Sequence, residues 1–108
     1  IEDVAAIPNI EAIMAVEGLD GVFFGPADFS VSAGVPLQTG HPKVMDGLRR
    51  TVDAARKHSK FVIFGAKYPY WEDALKIAEL GVQAIEIGHD LSILGTIWKK
   101  TVQEVKKR

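Results

Sequence analysis

The sequence predicts an α/β protein built on a parallel sheet. Three short apolar runs, at residues 21–24, 60–64 and 82–87, have the length and the β-branched or aromatic character of buried strands. Each is followed by a segment whose apolar residues recur three and four apart, the mark of a helix with one buried face. Strands that alternate with helices connect in parallel. The composition agrees: 108 residues, 47% hydrophobic and 25% charged, with a net charge of −1, is that of one globular domain. It excludes disorder, and no apolar run approaches the length of a membrane span. Basic and acidic residues balance at 13 and 14 with no basic patch, so no nucleic acid partner is expected. Without cysteine there is no disulfide scaffold and no thiolate metal site. The chain opens on Ile1-Glu2-Asp3 without a methionine or a signal-like segment, which reads as a portion of a longer protein, expected in the cytoplasm.

Taken in order, Ile1-Glu2-Asp3 reads as the end of a strand. Asn9 is a plausible cap for a short helix carrying Ile10, Ile13, Met14 and Val16, closed by Gly18. The strand at 21–24 ends on Gly25-Pro26, and residues 25–42, broken by Pro26, Gly34, Pro36 and Gly40, are expected to be loop. Pro42 suits the first position of a helix whose stripe is Val44, Leu48, Val52 and Ala55, with Arg49, Arg50, Arg56 and Lys57 off it. The second strand, 60–64, should stop at Gly65. A helix from Trp71 to Leu80 follows, with Gly81 just past its end. After the third strand, Asp90 is expected to cap a last helix carrying Leu91, Leu94, Ile97, Trp98, Val102 and Val105, with Lys and Arg at its negative end. A complete eight-unit barrel needs about 250 residues, or about 31 per unit. Three βα units and a strand end therefore fit an isolated α/β layer or the last part of a barrel equally well.

In parallel α/β proteins chemistry gathers at the carboxyl ends of strands. Those ends offer Glu2, then Gly25-Pro26-Ala27-Asp28, then Gly65-Ala66-Lys67-Tyr68, then Gly88-His89-Asp90. A carboxylate after a Gly-Pro turn suits a hard divalent cation, and successive N–H groups of such a turn suit an anion. The plainer reading has Asp28 capping a short turn through Ser30 and Val31 and Glu2 as an exposed acid. It makes His41 a helix-start residue and Lys67 an ordinary solvated lysine. Phe23, Phe24, Trp71 and Trp98 read as core or interface aromatics.

Residues 18–30, Gly-Leu-Asp-Gly-Val-Phe-Phe-Gly-Pro-Ala-Asp-Phe-Ser, closely resemble the HpcH/HpaI aldolase family pattern Gly-Val-Asp-Gly-Val-Phe-Ile-Gly-Pro-Ala-Asp-Leu-Ser. The family places an acid 26 positions before the motif's aspartate, and here that acid is Glu2. Asn9, Gly34, His41-Pro42, Lys60, Glu79-Leu80-Gly81 and Gly88-x-Asp90-Leu91 lie in register, with a small insertion near Tyr68 to Trp71. The resemblance covers the whole chain. It implies the carboxyl-terminal part of a (β/α)₈ barrel, from the end of the fifth strand to the eighth helix, as a single unit over residues 1–108.

It further implies a metal-dependent aldolase that cleaves a 4-hydroxy-2-oxo acid to pyruvate and an aldehyde. Glu2 and Asp28 match the ligands of a divalent metal, Mg²⁺ or Mn²⁺. Ala27 and Asp28 match the residues whose N–H groups face the 2-oxo acid carboxylate. The metal acts as a Lewis acid at the keto and carboxylate oxygens, so no lysine Schiff base is needed. The family's histidine, the acid that partners it and the arginine near the keto oxygen lie upstream of Ile1, so no catalytic residue is expected within this chain. The Pro-Gly-Ile-Leu segment that lines the family's aldehyde pocket reads Val62-Ile63-Phe64-Gly65, so Phe64 and Gly65 are expected to alter substrate scope. A homo-oligomer is expected. The alternatives are a related acyl-CoA lyase, against which stands the lack of a basic loop near Asp28, and a non-catalytic half-barrel serving as an interaction module.

Overall fold

The computed structural model of the protein describes residues 1–68 and 70–107. Within them lie a 3₁₀ segment Val4–Asn9, α1 (Ile10–Met14), β1 (Gly21–Phe24), α2 (Pro26–Ser32), α3 (Pro42–Lys57), β2 (Phe61–Ala66), α4 (Tyr70–Glu79), β3 (Ala84–Ile87) and α5 (Asp90–Lys106). The three strands form one parallel sheet in the order β1-β2-β3. The expected end of a preceding strand is not a strand in the structure, but Ile1 lies beside β1. The Gly25 N–H donates to the Ile1 carbonyl at 3.0 Å, and the Ile1 nitrogen donates to the Phe23 carbonyl at 2.5 Å. Ile1 therefore bonds along the outer edge of β1 without forming a strand of its own.

Register and alternation decide what each strand residue does. Val22 pairs with Val62 and Phe24 with Phe64, and these four face the helices. Phe24 and Phe64 stack at 6.0 Å, and Phe29 of α2 leans on Phe24 at 4.8 Å. Beneath them run Val44, Leu48, Val52 and Ala55 of α3, all buried, with Arg49, Arg50, Arg56 and Lys57 exposed as the periodicity predicts. Ile10 and Met14 of α1 close the same core. Phe23, Ile63, Gly65, Ala84 and Glu86 face the other way, where Phe23 and Phe61 stay about 40% exposed.

Several boundaries differ from expectation, each for a physical reason. Residues 26–32 are not loop: Pro26 occupies the first turn of α2, where its missing N–H costs nothing. Asn9 does not cap α1. Its side-chain amide donates to the Ala5 carbonyl, and the turn begins earlier, with Asp3 capping the 3₁₀ segment. β2 runs through Gly65 to Ala66, because strand pairing with β3 continues there, and β3 begins at Ala84. His89, not Asp90, caps α5. Its Nδ1 accepts from the Ser92 N–H while the Ser92 hydroxyl accepts from the His89 N–H, a reciprocal capping box. Trp71 and Trp98 are exposed, and α5 buries none of its residues, so its apolar stripe faces away from this chain's own core. Pro69, within the expected insertion, and Arg108, in the basic end, lie outside the described residues.

Candidate active site

All the strand ends named above open into one cleft of about 480 Å³, within the range of small-molecule sites. Glu2 and Asp28 line it together, with Ala27, Gly65, Lys67 and Glu86. Twenty-six residues apart in sequence, the two residues line one cleft because Ile1 lies beside β1 and Asp28 stands in the first turn of the helix that follows β1.

Gly25 leaves the Glu2 side chain its place there. A Cβ there would lie 2.8 Å from Cγ of Glu2 and 3.1 Å from its Oε1. The side chain of Glu2 thus passes directly over the glycine. Its neighbour Asp3 holds the segment in place. The Asp3 Oδ1 accepts from the Ala5 N–H at 2.8 Å and from the Ser32 hydroxyl at 3.0 Å, and Ser32 Oγ in turn accepts from the Val4 N–H. The Ala5 N–H first, then the Ser32 hydroxyl, lower the Asp3 carboxyl below its ordinary value.

Asp28 lies in the first turn of α2 and caps nothing; Gly25 is the cap residue. The first N–H of that turn to find a helical acceptor is Phe29's, on the Gly25 carbonyl at 2.9 Å. The N–H groups of Ala27 and Asp28 precede it and, like all groups in a first helical turn, have no acceptor within the helix. Ser30 anchors the back of the turn, donating to the Ala27 carbonyl and accepting from the Leu37 N–H.

The two carboxylates fit a hard divalent cation. Both are exposed oxygen donors on one cleft, and among the described residues neither forms an ion pair. Among the described residues no group of three or more His, Cys, Asp or Glu side chains gathers, so water and substrate oxygens would complete the shell, as Mg²⁺ commonly has it.

His41 caps α3 through Nδ1, as its place before Pro42 predicts, and Lys67 is exposed on the cleft rim. Phe64 corrects an expectation. It is 2% exposed and stacked on Phe24 in the helix layer, so it does not line the cleft, whereas Gly65 does. The sequence reading also passed over Asp3, Ser32 and Glu86. Pro26 after a strand-ending glycine was the available signal for α2, and with it for Ser32. Glu86 gave its sign only through strand parity.

A parallel α/β sheet whose strand ends share one ligand-sized cleft is the layout of a (β/α)₈-barrel enzyme, and this chain is part of such a barrel. Residues 1–95 match the HpcH/HpaI aldolase/citrate lyase family, and the chain belongs to it. It is 34% identical over 107 residues to a 5-keto-4-deoxy-D-glucarate aldolase of Klebsiella pneumoniae, covering 99% of this chain and 41% of that protein. The solved HpcH/HpaI aldolase of Desulfitobacterium hafniense superposes with a TM-score of 0.91 at 32% identity, over 100% of this chain and 41% of the other. The solved citrate synthase SbnG superposes at 0.86 and 30% identity, over 99% and 43%. The chain thus spans about two fifths of the length of the relatives it matches.

Proposed function

We propose that this chain supplies the metal- and 2-oxo-acid-binding side of an aldolase that cleaves a 4-hydroxy-2-oxo acid to pyruvate and an aldehyde. The observation that carries the reading is that Glu2, Asp28 and the first turn of α2 line one cleft. Aldolase-named relatives at 30–34% identity support it.

In this reading the N–H groups of Ala27 and Asp28, at the positive end of α2, hold the substrate carboxylate. Glu2 and Asp28 hold a divalent cation, Mg²⁺ or Mn²⁺. Bound there, the cation supplies Lewis-acid stabilisation of charge at the keto oxygen. In the reaction the C3–C4 bond breaks. C4 loses its hydroxyl proton and leaves as the aldehyde, and the electron pair stays on C3, which takes up a proton to give pyruvate. By resemblance, the groups that move those protons belong to the part of the relatives' barrel that this chain does not span. The protein acts in the cytoplasm on small molecules and as a homo-oligomer. The exposed stripe of α5, Leu94, Ile97 and Trp98 among it, supports the last point.

The test is Asp28→Ala in the completed barrel. Wild-type protein should exchange the methyl protons of pyruvate in a metal-dependent manner. The variant should lose that exchange by two or more orders of magnitude while keeping its circular dichroism spectrum. Full exchange in the variant, or in excess chelator, sinks the assignment.

A further inference from the structure

The backbone on either side of Glu2 is tied to the strand and helix that carry Asp28. Before it, the Ile1 carbonyl accepts from the Gly25 N–H at 3.0 Å, at the end of β1. After it, Asp3 and Val4 both meet the side chain of Ser32. The Ser32 hydroxyl donates to Asp3 Oδ1 at 3.0 Å, and its oxygen accepts from the Val4 N–H at 3.1 Å. Ser32 is the last residue of α2 and stands four positions after Asp28, so the two lie on one face of that helix. A polar bridge therefore runs from the residue next to Glu2 to the helix that presents Asp28.

Asp3 and Ser32 act from outside the cleft, since neither lines it. Their bridge is also separable from the local turn. Without the Ser32 hydroxyl, Asp3 still caps the 3₁₀ segment through the Ala5 N–H. Among the described residues, however, no hydrogen bond would then join residues 3–5 to α2. Glu2 would be tied to the β1–α2 unit through Ile1 alone. That loss matters for a shared cation. Mg²⁺ demands near-ideal octahedral geometry, so two carboxylates that hold it need a fixed separation. Groups that orient such ligands without touching the ion set a large part of the affinity.

Resting on the metal site proposed above, we infer that Asp3 and Ser32 are positioning residues: their bridge fixes where Glu2 stands relative to Asp28 and thereby sets the affinity for a divalent cation. Neither residue touches the ion. The pair works as one unit, because the hydrogen bond between the two side chains needs both partners.

The experiment titrates the completed barrel with Mn²⁺, following the free ion by electron paramagnetic resonance, and measures urea unfolding of the metal-free protein alongside. The proteins are wild type, Ser32→Ala, Asp3→Ala, the double variant, and the conservative Ser32→Thr and Asp3→Asn. Ser32→Ala should weaken Mn²⁺ binding about tenfold, the lower end of what outer partners of metal ligands contribute. Its metal-free unfolding midpoint should stay near that of wild type, because alanine is the better helix former. Asp3→Ala should weaken binding at least as much, and the double variant should be no weaker than Asp3→Ala. Ser32→Thr keeps the hydroxyl and Asp3→Asn keeps an acceptor oxygen, so both should bind close to wild type. Asp3→Asn also removes the charge beside Glu2, which separates the bridge from a through-space attraction for the cation. Three results overturn the bridge and leave the metal site standing: wild-type affinity in Ser32→Ala, an Asp3→Asn protein as weak as Asp3→Ala, or losses that simply multiply in the double variant. Wild-type protein that binds Mn²⁺ no better than Asp28→Ala overturns the metal site and this assignment with it.

Discussion

Replacing Gly25 with alanine tests the proposed metal site without substituting either proposed ligand. The backbone at Gly25 has φ −86° and ψ 92°, which alanine adopts without strain. The new methyl has one conflict, with Glu2: 2.8 Å to Cγ, 3.1 Å to Oε1 and 3.4 Å to Cδ. Carbon atoms prefer about 3.5–4.0 Å, so the side chain must retreat by about 1 Å. Glu2 is exposed and swings outward freely, so stability should change by no more than about 0.5 kcal/mol, the range of ordinary surface substitutions. The metal should feel it far more. Mg²⁺ requires oxygens at about 2.0–2.1 Å in near-octahedral geometry. Disturbing the groups that orient a ligand commonly weakens binding about 10- to 100-fold. The assay is titration of the completed barrel with Mn²⁺, following the free ion by electron paramagnetic resonance. Glu2→Gln serves as the companion, and Gly25→Ala added to Glu2→Gln should cost nothing further. Unchanged Mn²⁺ affinity in a folded Gly25→Ala protein would refute the claim that Glu2 reaches the metal by passing over this glycine.

Two further outcomes are expected. Lys57 donates to Glu11 at 2.6 Å and ties α3 to α1; that hydrogen bond holds the Glu11 carboxyl below its ordinary 4.5 and the Lys57 ammonium above 10.5. A depressed carboxyl contributes above its unfolded value and loses that contribution as pH falls through the folded one. The melting-temperature difference between wild type and Glu11→Gln should therefore be present well above pH 4.5 and shrink as pH falls below 4.5 through the lowered Glu11 value; a difference that grows in acid contradicts the sign. For assembly, wild-type chain should sediment above its monomer mass, and Leu94→Glu/Trp98→Glu should shift it toward monomer. A wild-type chain that remains monomeric at high concentration removes α5 as an assembly surface.

Much of the fold was legible because its signals are local. The stripe Val44, Leu48, Val52 and Ala55 is buried as its spacing requires, and Gly81 ends α4 at φ +95°. The α2 helix was hidden because Pro26 reads equally as a turn residue and a helix starter, and its short length leaves no periodicity to weigh. At the cap of α5 an adjacent His-Asp pair offered two candidates. The choice fell to His89, whose ring could close a reciprocal bond with Ser92. At the site, Asp28 and Glu2 are proposed together through resemblance, since spacing alone does not bring residues 2 and 28 to one cleft. Strand composition says that a strand is buried but not which face is which, so it cannot separate Phe64, which packs on the helices, from Gly65 and Glu86, which line the cleft. Parity became readable only when Phe24 and Phe64 were seen stacked on the helix side.

That parity divides the ways in which this sequence can change. On β2 and β3, positions 62, 64 and 85 belong to the helix layer, while 63, 65, 84 and 86 border the open face. Substitutions at the first set spend folding stability and leave the chemistry as it was. Those at the second set, where Ile63, Gly65 and Ala84 are half-buried and Glu86 is exposed, cost less of it. Selection for a new substrate and selection for persistence at high temperature therefore act on alternate residues of the same short strands, and a lineage can pursue either without undoing the other.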